Sequence, residues 1–340
     1  MDNLTLDDIA KLAGISRATA SRAINNRDNV SPAVRQRVQS ILRETGYQPN
    51  AAAHSLASQR NELIGLVISR TVQSIFADPY FPRLAEGIAQ ACNQHHYTFS
   101  LFVEYEVEAL FRRITRRGFL GGVIVQVEGL GNPLIPKLER QSGLPVVVVG
   151  RPPAGTRVSY LDVDNVEGAC QAVTHLIMLG HRRIGMLTGP MISGSGQDRL
   201  AGYRLASQEH GIEVDEALIV EGDYTEAGGY RLTRSIMAQK PSALFVCSDS
   251  MARGVLRALK ELDLSVPEDI AIVSFDDLPP ATVASPLLTT VRQPIKRIGM
   301  LAVEMLLDII KNGTEPVRTT ILPTELVIRE SCGAKRFTGE

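Results

Sequence analysis

The sequence predicts an all-α head followed by an α/β body of two lobes. Three observations carry this. Residues 1–49 hold three short helical periods broken by a glycine turn, and from residue 61 continuous apolar runs alternate with helical periods. Those runs indicate parallel strands covered on both faces. There are about ten of them, more than one sheet of this kind usually takes, so two sheets are the economical solution.

In the head, "TLDDIAKLAG" reads as a helix with Thr5 as N-cap, Asp7 and Asp8 in its first turn and Gly14 past its end. Ile9, Leu12 and Ala13 supply its apolar stripe. "SRATASRAIN" follows with Ser16 as cap. Ala20, Ala23 and Ile24 share one face, while Arg17, Thr19, Ser21, Arg22 and Asn25 take the others. Small inward residues allow close helix packing. The outward hydroxyls suit phosphates, and an arginine can grip a guanine edge bidentately. "SPAVRQRVQSILRETG" adds a third helix, with Ser31 as N-cap, Pro32 in the first turn, Gly46 at the stop and an apolar stripe of Val34, Val38, Ile41 and Leu42. Helix, tight turn, helix and third helix is the helix-turn-helix order. Pattern alone leaves a three-helix bundle with a polar surface open.

"NAAAHSLASQR", residues 50–60, joins head to body and is too short to be a stable helix alone in water. It reads as a linker or as a segment that folds on a surface. Leu56 has no predicted core to join: it either touches the body or wedges a base step.

Charge separates the two parts. The 340-residue chain has a formal net charge of −1, yet residues 1–60 carry eight Lys/Arg against five acids. A basic head on an acidic body fits a polyanion partner for the head alone. Cys92, Cys170, Cys247 and Cys332 are far apart without a CxxC pair, which fits reduced thiols in the cytoplasm. No histidine spacing suits a metal, and no cofactor is expected. The start lacks a basic segment followed by an apolar run, and no apolar stretch reaches the roughly 18 residues of a membrane helix. Asp162, Asp164 and Asp276–Asp277 are the acids available for catalysis, but nothing in the sequence brings a catalytic partner to them, so the chain is not expected to be an enzyme.

The strands of the body are "LIGLVIS", "YTFSLFV", "GVIVQV", "PVVVVG", "RIGMLTG", "ALIVEG", "ALFVCSD" and "IAIVSFD". Ligands of such sheets bind beyond the carboxyl ends of the strands. That singles out Ser69, Ser248–Asp249 and Phe275–Asp276 at strand ends, Gln293 in a crossover, "DPYF" (Asp78 to Phe81) at a helix start, and Arg199 beginning the helix "RLAGYR". An arginine, carboxylates and aromatics can hold sugar hydroxyls and stack a ring. "GSGQD", residues 194–198, lacks both the Walker lysine and the GxGxxG spacing and reads as a flexible loop at the cleft edge.

From "TLDDIAKLAGISRATASRAIN" through "VSPAVRQRVQSILRETGYQPNAAAHSLASQRNELIGLVIS", "DVDNVEGACQAVTHLIMLGHRRIGMLTGP", "DRLAGYRLA", "PSALFVCSDSMARGVLRALKEL", "VPEDIAIVSFDD" and "LTTVRQP", the chain resembles the lactose-repressor (LacI/GalR) family of bacterial transcription regulators over nearly its whole length. The resemblance implies a helix-turn-helix domain at 1–49, a hinge helix at 50–60 and a periplasmic-binding-protein-like core at 61–340 whose lobes are joined by three crossovers. The N-subdomain would span about 61–161 and 294–321, and the C-subdomain about 162–293 and 322–340. By resemblance Arg17 and Ala18 set operator choice and Arg22 reads a guanine. Thr5, Ser16, Thr19, Ser21, Asn25 and Asn29 touch backbone or base edges, and Leu56, flanked by Ala53 and Ala57, enters the minor groove. Tyr80, Phe81, Arg199, Phe275 and Asp276 match effector contacts. The family implies a homodimer on a palindromic operator, and because Asp276 and Arg199 suit sugar hydroxyls the chain is expected to be a cytoplasmic repressor of carbohydrate-utilisation genes released by a sugar of glucoside or maltose type. A purine corepressor acting in the opposite sense is the alternative, and a free sugar-binding protein is a more distant one. "SRTVQSIFADPYF" is longer than the family's usual run, which leaves Ile75, Phe76 and Asp78 unplaced; the role of His54 is likewise open. The ending "CGAKRFTGE" shows no heptad tail, so a dimer rather than a tetramer is expected.

Overall fold

The computed structural model describes residues 4–24, 29–47, 61–116, 119–126 and 129–334. Asn25, Ala53, His54, Leu56 and Ala57 lie outside them. The chain divides into two compact units, residues 1–61 and 62–340.

The first unit contains α1 (Leu6–Leu12), α2 (Arg17–Ile24) and α3 (Pro32–Thr45). A capping box starts α1: the Asp8 carboxylate accepts from the Thr5 N–H at 2.9 Å, and the Asp8 N–H donates to Thr5 Oγ1 at 3.3 Å. The turn into α2 runs through Gly14 at φ 65°, a left-handed conformation that a Cβ would strain. Ser16 Oγ then accepts from the Thr19 N–H at 3.1 Å. Ser31 caps α3, and Gly46 ends it in the left-handed region. Ile9, Ala13, Ala23 and Val38 form the core, with Ile24 and Ile41 packed against it. Leu12 departs from the predicted stripe: it is 57 % exposed. The buried face is formed by Ile9, Ala10 and Ala13, and Leu12 projects about 100° away from Ala13 around the helix axis.

The second unit is two lobes, each built on a six-stranded sheet. The first sheet joins β1 (Leu63–Ile68), β2 (Thr98–Val103), β3 (Gly122–Gln126), β4 (Val146–Val149), β5 (Ser159–Val163) and β11 (Thr319–Leu322) in the order β11-β5-β4-β3-β1-β2, all parallel. The second joins β6 (Ile184–Thr188), β7 (Ile219–Glu221), β8 (Ala243–Val246), β9 (Ala271–Asp276), β10 (Thr289–Arg292) and β12 (Glu325–Val327) in the order β12-β10-β9-β8-β6-β7. Edge strand β12 is antiparallel to β10, so this sheet is mostly, rather than wholly, parallel. The chain crosses between lobes three times: from β5 into α8 (Asn165–Met178), from β10 into α13 (Ile295–Asn312) and from β11 into β12.

Helices cover both faces of each sheet. On the first, α5 (Tyr80–Gln94) and α13 share one apolar cluster around Leu84, Ile88, Val303 and Leu306. Helices α6 (Val107–Ile114) and α7 (Leu134–Gln141) contribute Leu110, Ile114 and Leu138 to another. On the second, α8, α9 (Gly194–Glu209), α10 (Glu226–Met237) and α11 (Asp249–Glu261) enclose a core centred on Phe245 and Met186. The long run after β1 folds as an additional short helix, α4 (Val72–Ala77), capped by Thr71. It buries Ile75 and leaves Phe76 67 % exposed. A last short helix, α12 (Pro279–Val283), precedes β10.

Residues 194–198 are not a loop. They form the first turn of α9, where Ser193 Oγ accepts from the Gly196 N–H at 3.0 Å. The helix therefore begins five residues before Arg199.

Candidate functional site

Two sites stand out, one in each unit. On α2, Ala20 and Ala23 are buried, while Ser16, Arg17, Ala18 and Arg22 are exposed and Thr19 and Ser21 half-buried. Residues 17, 18, 21 and 22 fall on one side of a 3.6-residue helix, so a single face carries two arginines, a hydroxyl and a methyl. Arg17 Nε lies 3.6 Å from the Asp7 carboxylate of α1. Thr19 shares a 2.8 Å hydrogen bond with Ser16. Asn29 is exposed with φ 69°. These side chains make the shape of an edge-reading helix: small enough to enter a groove, with cations at its rim.

The second site is the cleft between the lobes, with an empty volume of about 820 Å³, open solvent at its mouth included. Arg199 of α9 forms its floor. It is buried, its Nε donates to Asn165 Oδ1 at 2.9 Å, and its Nη1 donates to the Cys247 carbonyl at 2.6 Å. The guanidinium carbon lies 3.7 Å from the centroid of the Phe275 ring, a cation–π contact shielded from water. Asp276 ends β9 at φ 119°, a conformation that costs an L-residue about 1–3 kcal/mol. It is held there by Gln293 Nε2, which donates to its Oδ1 at 2.6 Å, and by Arg199 Nη1 at 3.6 Å. Burial, reinforced by the charge of Asp249, pushes the Asp276 carboxyl well above the usual range, against the pull of Arg199.

The first lobe faces this floor with Asp162, Asp78, Tyr80 and Phe81. Asn165 donates to Asp162 Oδ1 at 3.2 Å while accepting from Arg199, so one amide links the two charges. Burial raises Asp162 to about 6 and lifts Asp78 as well. Tyr80 and Phe81 meet edge to face with centroids 5.5 Å apart, and Tyr80 Oη donates to Gln126 Oε1 at 3.3 Å. Opposite them, Tyr224 Oη shares a 2.9 Å hydrogen bond with Ser195 Oγ at the start of α9. Such a floor offers donors and acceptors side by side, as a hydroxyl needs, flanked by aromatic rings. Among the described residues no cluster of His, Cys, Asp and Glu could hold a metal.

Of the residues expected in the cleft, Tyr80, Phe81, Arg199, Ser248, Asp276 and Gln293 line it. Three do not. Ser69 lies beyond its strand and donates to the Tyr105 carbonyl at 3.5 Å. Phe275 is fully buried beneath Arg199, because it and Asp276 alternate across the strand. Asp249 is also fully buried. It accepts from Ser274 Oγ, Thr290 Oγ1 and the Leu278 N–H at 2.5, 2.8 and 2.7 Å, tying β9, β10 and the start of α12 together. Burial lifts it to about 7. Sequence reasoning missed Asn165, Tyr224, Arg151 and Ser193–Ser195. Of these, only the 194–198 run carries a sequence signal, its glycines, and the structure makes it a helix start facing the cavity.

Comparison with known proteins is consistent throughout. Residues 5–50 match "Bacterial regulatory proteins, lacI family", and residues 173–332 match a periplasmic binding protein-like domain. The HTH-type transcriptional regulator CelR of Thermobifida fusca is 38 % identical, over 96 % of this chain and 98 % of its own. The HTH-type transcriptional repressor PurR of Edwardsiella ictaluri is 34 % identical over 96 % of each. A solved CelR–cellobiose complex aligns with a TM-score of 0.76 and 36 % identity, over 96 % of this chain and 99 % of that one. The Lac repressor dimer bound to operator and the anti-inducer ONPF aligns at 0.87 with 27 % identity, over 98 % and 100 %.

Proposed function

Because the chain belongs to the lacI family of bacterial regulatory proteins, DNA-binding transcription regulators with a helix-turn-helix head and a two-lobed core, we propose that it is a homodimeric repressor of carbohydrate-utilisation genes. A small neutral sugar in the cleft releases it from a roughly palindromic operator. The heads read one half-site each: Arg17 and Ala18 set sequence choice, Arg22 takes a guanine, and Thr5, Ser16, Thr19, Ser21, Asn25 and Asn29 hold backbone and edges. The segment 50–60 folds on the operator with Leu56, Ala53 and Ala57 at the minor groove. The chain acts in the cytoplasm, and its work is binding, with no reaction or cofactor of its own.

The observation that carries the sugar reading is the Arg199–Asp276–Gln293 floor, where a cation, a carboxylate and an amide converge on one buried point. Charge separates neutral sugars from phosphorylated ones. The lining sets the carboxyl groups of Asp78, Asp162 and Asp276 beside Arg70, Arg151 and Arg199, and Arg199 and Arg151 already engage Asp276 and Asp198, so the arginines do not converge on an anion. CelR's complex with cellobiose points the same way. Binding preferentially to one lobe arrangement, the sugar shifts the protein toward the state that does not hold DNA.

A purine corepressor is the second reading, favoured by the similarity to PurR and by the aromatic pair Tyr80–Phe81. A thermal-shift panel of glucose, cellobiose, maltose, hypoxanthine and guanine, followed by an operator-binding assay, separates the two. A ligand at 100 times its dissociation constant adds about 2.7 kcal/mol. A sugar that stabilises the protein and loosens the operator supports the repressor-inducer reading; a purine that tightens operator binding replaces it.

A further inference from the structure

We infer that Arg151 reads the outer part of the bound ligand and links it to closure of the lobes, so that it selects two-ring over one-ring sugars. The inference rests on the carbohydrate reading above. Arg151 follows β4 in the first lobe and lines the cavity. Its Nη2 reaches across the cleft to α9 of the second lobe, 3.1 Å from Asp198 Oδ1 and 3.4 Å from Gln197 Oε1. Its Nε is buried with no hydrogen-bond partner. Thr324 Oγ1 is the one other such side-chain atom among the described residues, and Thr324 does not line the cavity. An N–H kept from water without an acceptor costs about 1–3 kcal/mol, a cost that a ligand oxygen relieves once the guanidinium turns Nε toward the cavity.

The surroundings are shaped for this side chain. A Cβ on Gly194 would stand 3.2 Å from both Cβ and Nε of Arg151, so the glycine makes its room. Beside it the Leu130 N–H of the first lobe donates to the Ile192 carbonyl of the second at 3.0 Å, a second bond across the same rim. Asp198 neutralises the guanidinium, so the acceptor that suits Nε is an uncharged oxygen, a hydroxyl or glycosidic oxygen. Asp198 and Arg199 are successive residues of one helix and project about 100° apart. One therefore meets Arg151 at an edge where its side chain is 39 % exposed, while the other forms a floor that is 6 % exposed. A ligand touching both Arg199 and Arg151 reaches from floor to rim, and a second sugar ring supplies the hydroxyls for the rim.

The test is calorimetric titration of the full-length protein with glucose and with cellobiose, for wild type, Arg151→Met, Arg151→Lys and Asp198→Asn. Arg151→Met should lower cellobiose affinity about tenfold or more and shift glucose affinity by no more than about twofold. Arg151→Lys keeps a cation for Asp198 but lacks Nε, and should retain most of the cellobiose loss. Asp198→Asn should weaken cellobiose more than glucose, because the arginine loses its anchor. Equal losses for both sugars would make Arg151 a structural residue and overturn the inference, as would unchanged cellobiose affinity in Arg151→Met. A wild type that binds neither sugar overturns the inference, while the wider panel above decides the carbohydrate reading separately.

Discussion

The guanidinium of Arg199 stacks on the ring of Phe275 at 3.7 Å, and Phe275 itself is sealed from the cavity. An aromatic expected to touch the ligand thus lies one layer below, holding the arginine that lines the cavity. A desolvated cation–π contact is worth up to about 2 kcal/mol. Phe275→Leu should therefore cut sugar affinity about threefold to thirtyfold, with a stability loss of roughly 1–2 kcal/mol from the lost ring volume. Calorimetry and thermal melting on one preparation check both. Full affinity in the variant would show that Asn165 and the Cys247 carbonyl suffice to hold Arg199.

Arg22 is exposed on the outward face of α2. Arg22→Ala should weaken specific operator binding by about 1–3 kcal/mol, roughly fivefold to 150-fold, and relax preference at one base position. Sugar affinity should not move. Fluorescence anisotropy on the operator and on single-base variants measures it; a uniform loss across sequences would make Arg22 a phosphate contact.

Thr5 closes the capping box of α1 with Asp8, whose carboxyl is held below its usual range by the Thr5 hydroxyl and N–H. Thr5→Ala should destabilise the helix by about 1 kcal/mol, read as faster amide exchange over residues 6–12. Operator affinity lost with exchange unchanged would give Thr5 a role at the DNA only.

Asp249 makes the second unit sensitive to pH. Its carboxyl rises from 3.8 to about 7 on folding, chiefly through burial. Between those values the folded chain holds a proton that the unfolded chain has released. Its contribution is therefore complete below about pH 4 and declines as pH rises through about 7. Melting temperatures of wild type and Asp249→Asn, compared from pH 4.5 to 8, should differ by an amount that falls with pH and levels off above 7. A difference that grows with pH would contradict the assignment.

Most strands that sequence reveals are buried on both faces, such as β3 and β4, while the half-buried edge strands β2 and β7 also show as apolar runs. β5 alternates instead, and it carries Asp162 toward the cleft, so no apolar run announces it. β10 and β11 open on paired threonines and show only four residues each. The start of α9 was hidden because its two glycines favour loops. Ser193 and the close approach of Gly196 to the Pro190 carbonyl, 2.5 Å from where a Cβ would stand, override that preference. Within the cleft, residue types at strand ends were legible and depth was not. Phe275 and Asp249 fall beneath the surface that Asp276 and Ser248 form, a distinction set by strand alternation and by a buried hydroxyl network joining segments 41 residues apart.

The three crossings between lobes mean that neither lobe is a continuous stretch of sequence. On the ribosome, β1 to β5 emerge first, but their covering helix α13 and edge strand β11 come from residues 295–322, after nearly all of the second lobe has been made. The head can complete its own core within its first 47 residues. The body must hold an unfinished sheet until synthesis is almost over. A premature stop shortly before residue 319 would strip an edge strand from both lobes together, leaving a complete DNA-reading head attached to a sensor with two open sheets.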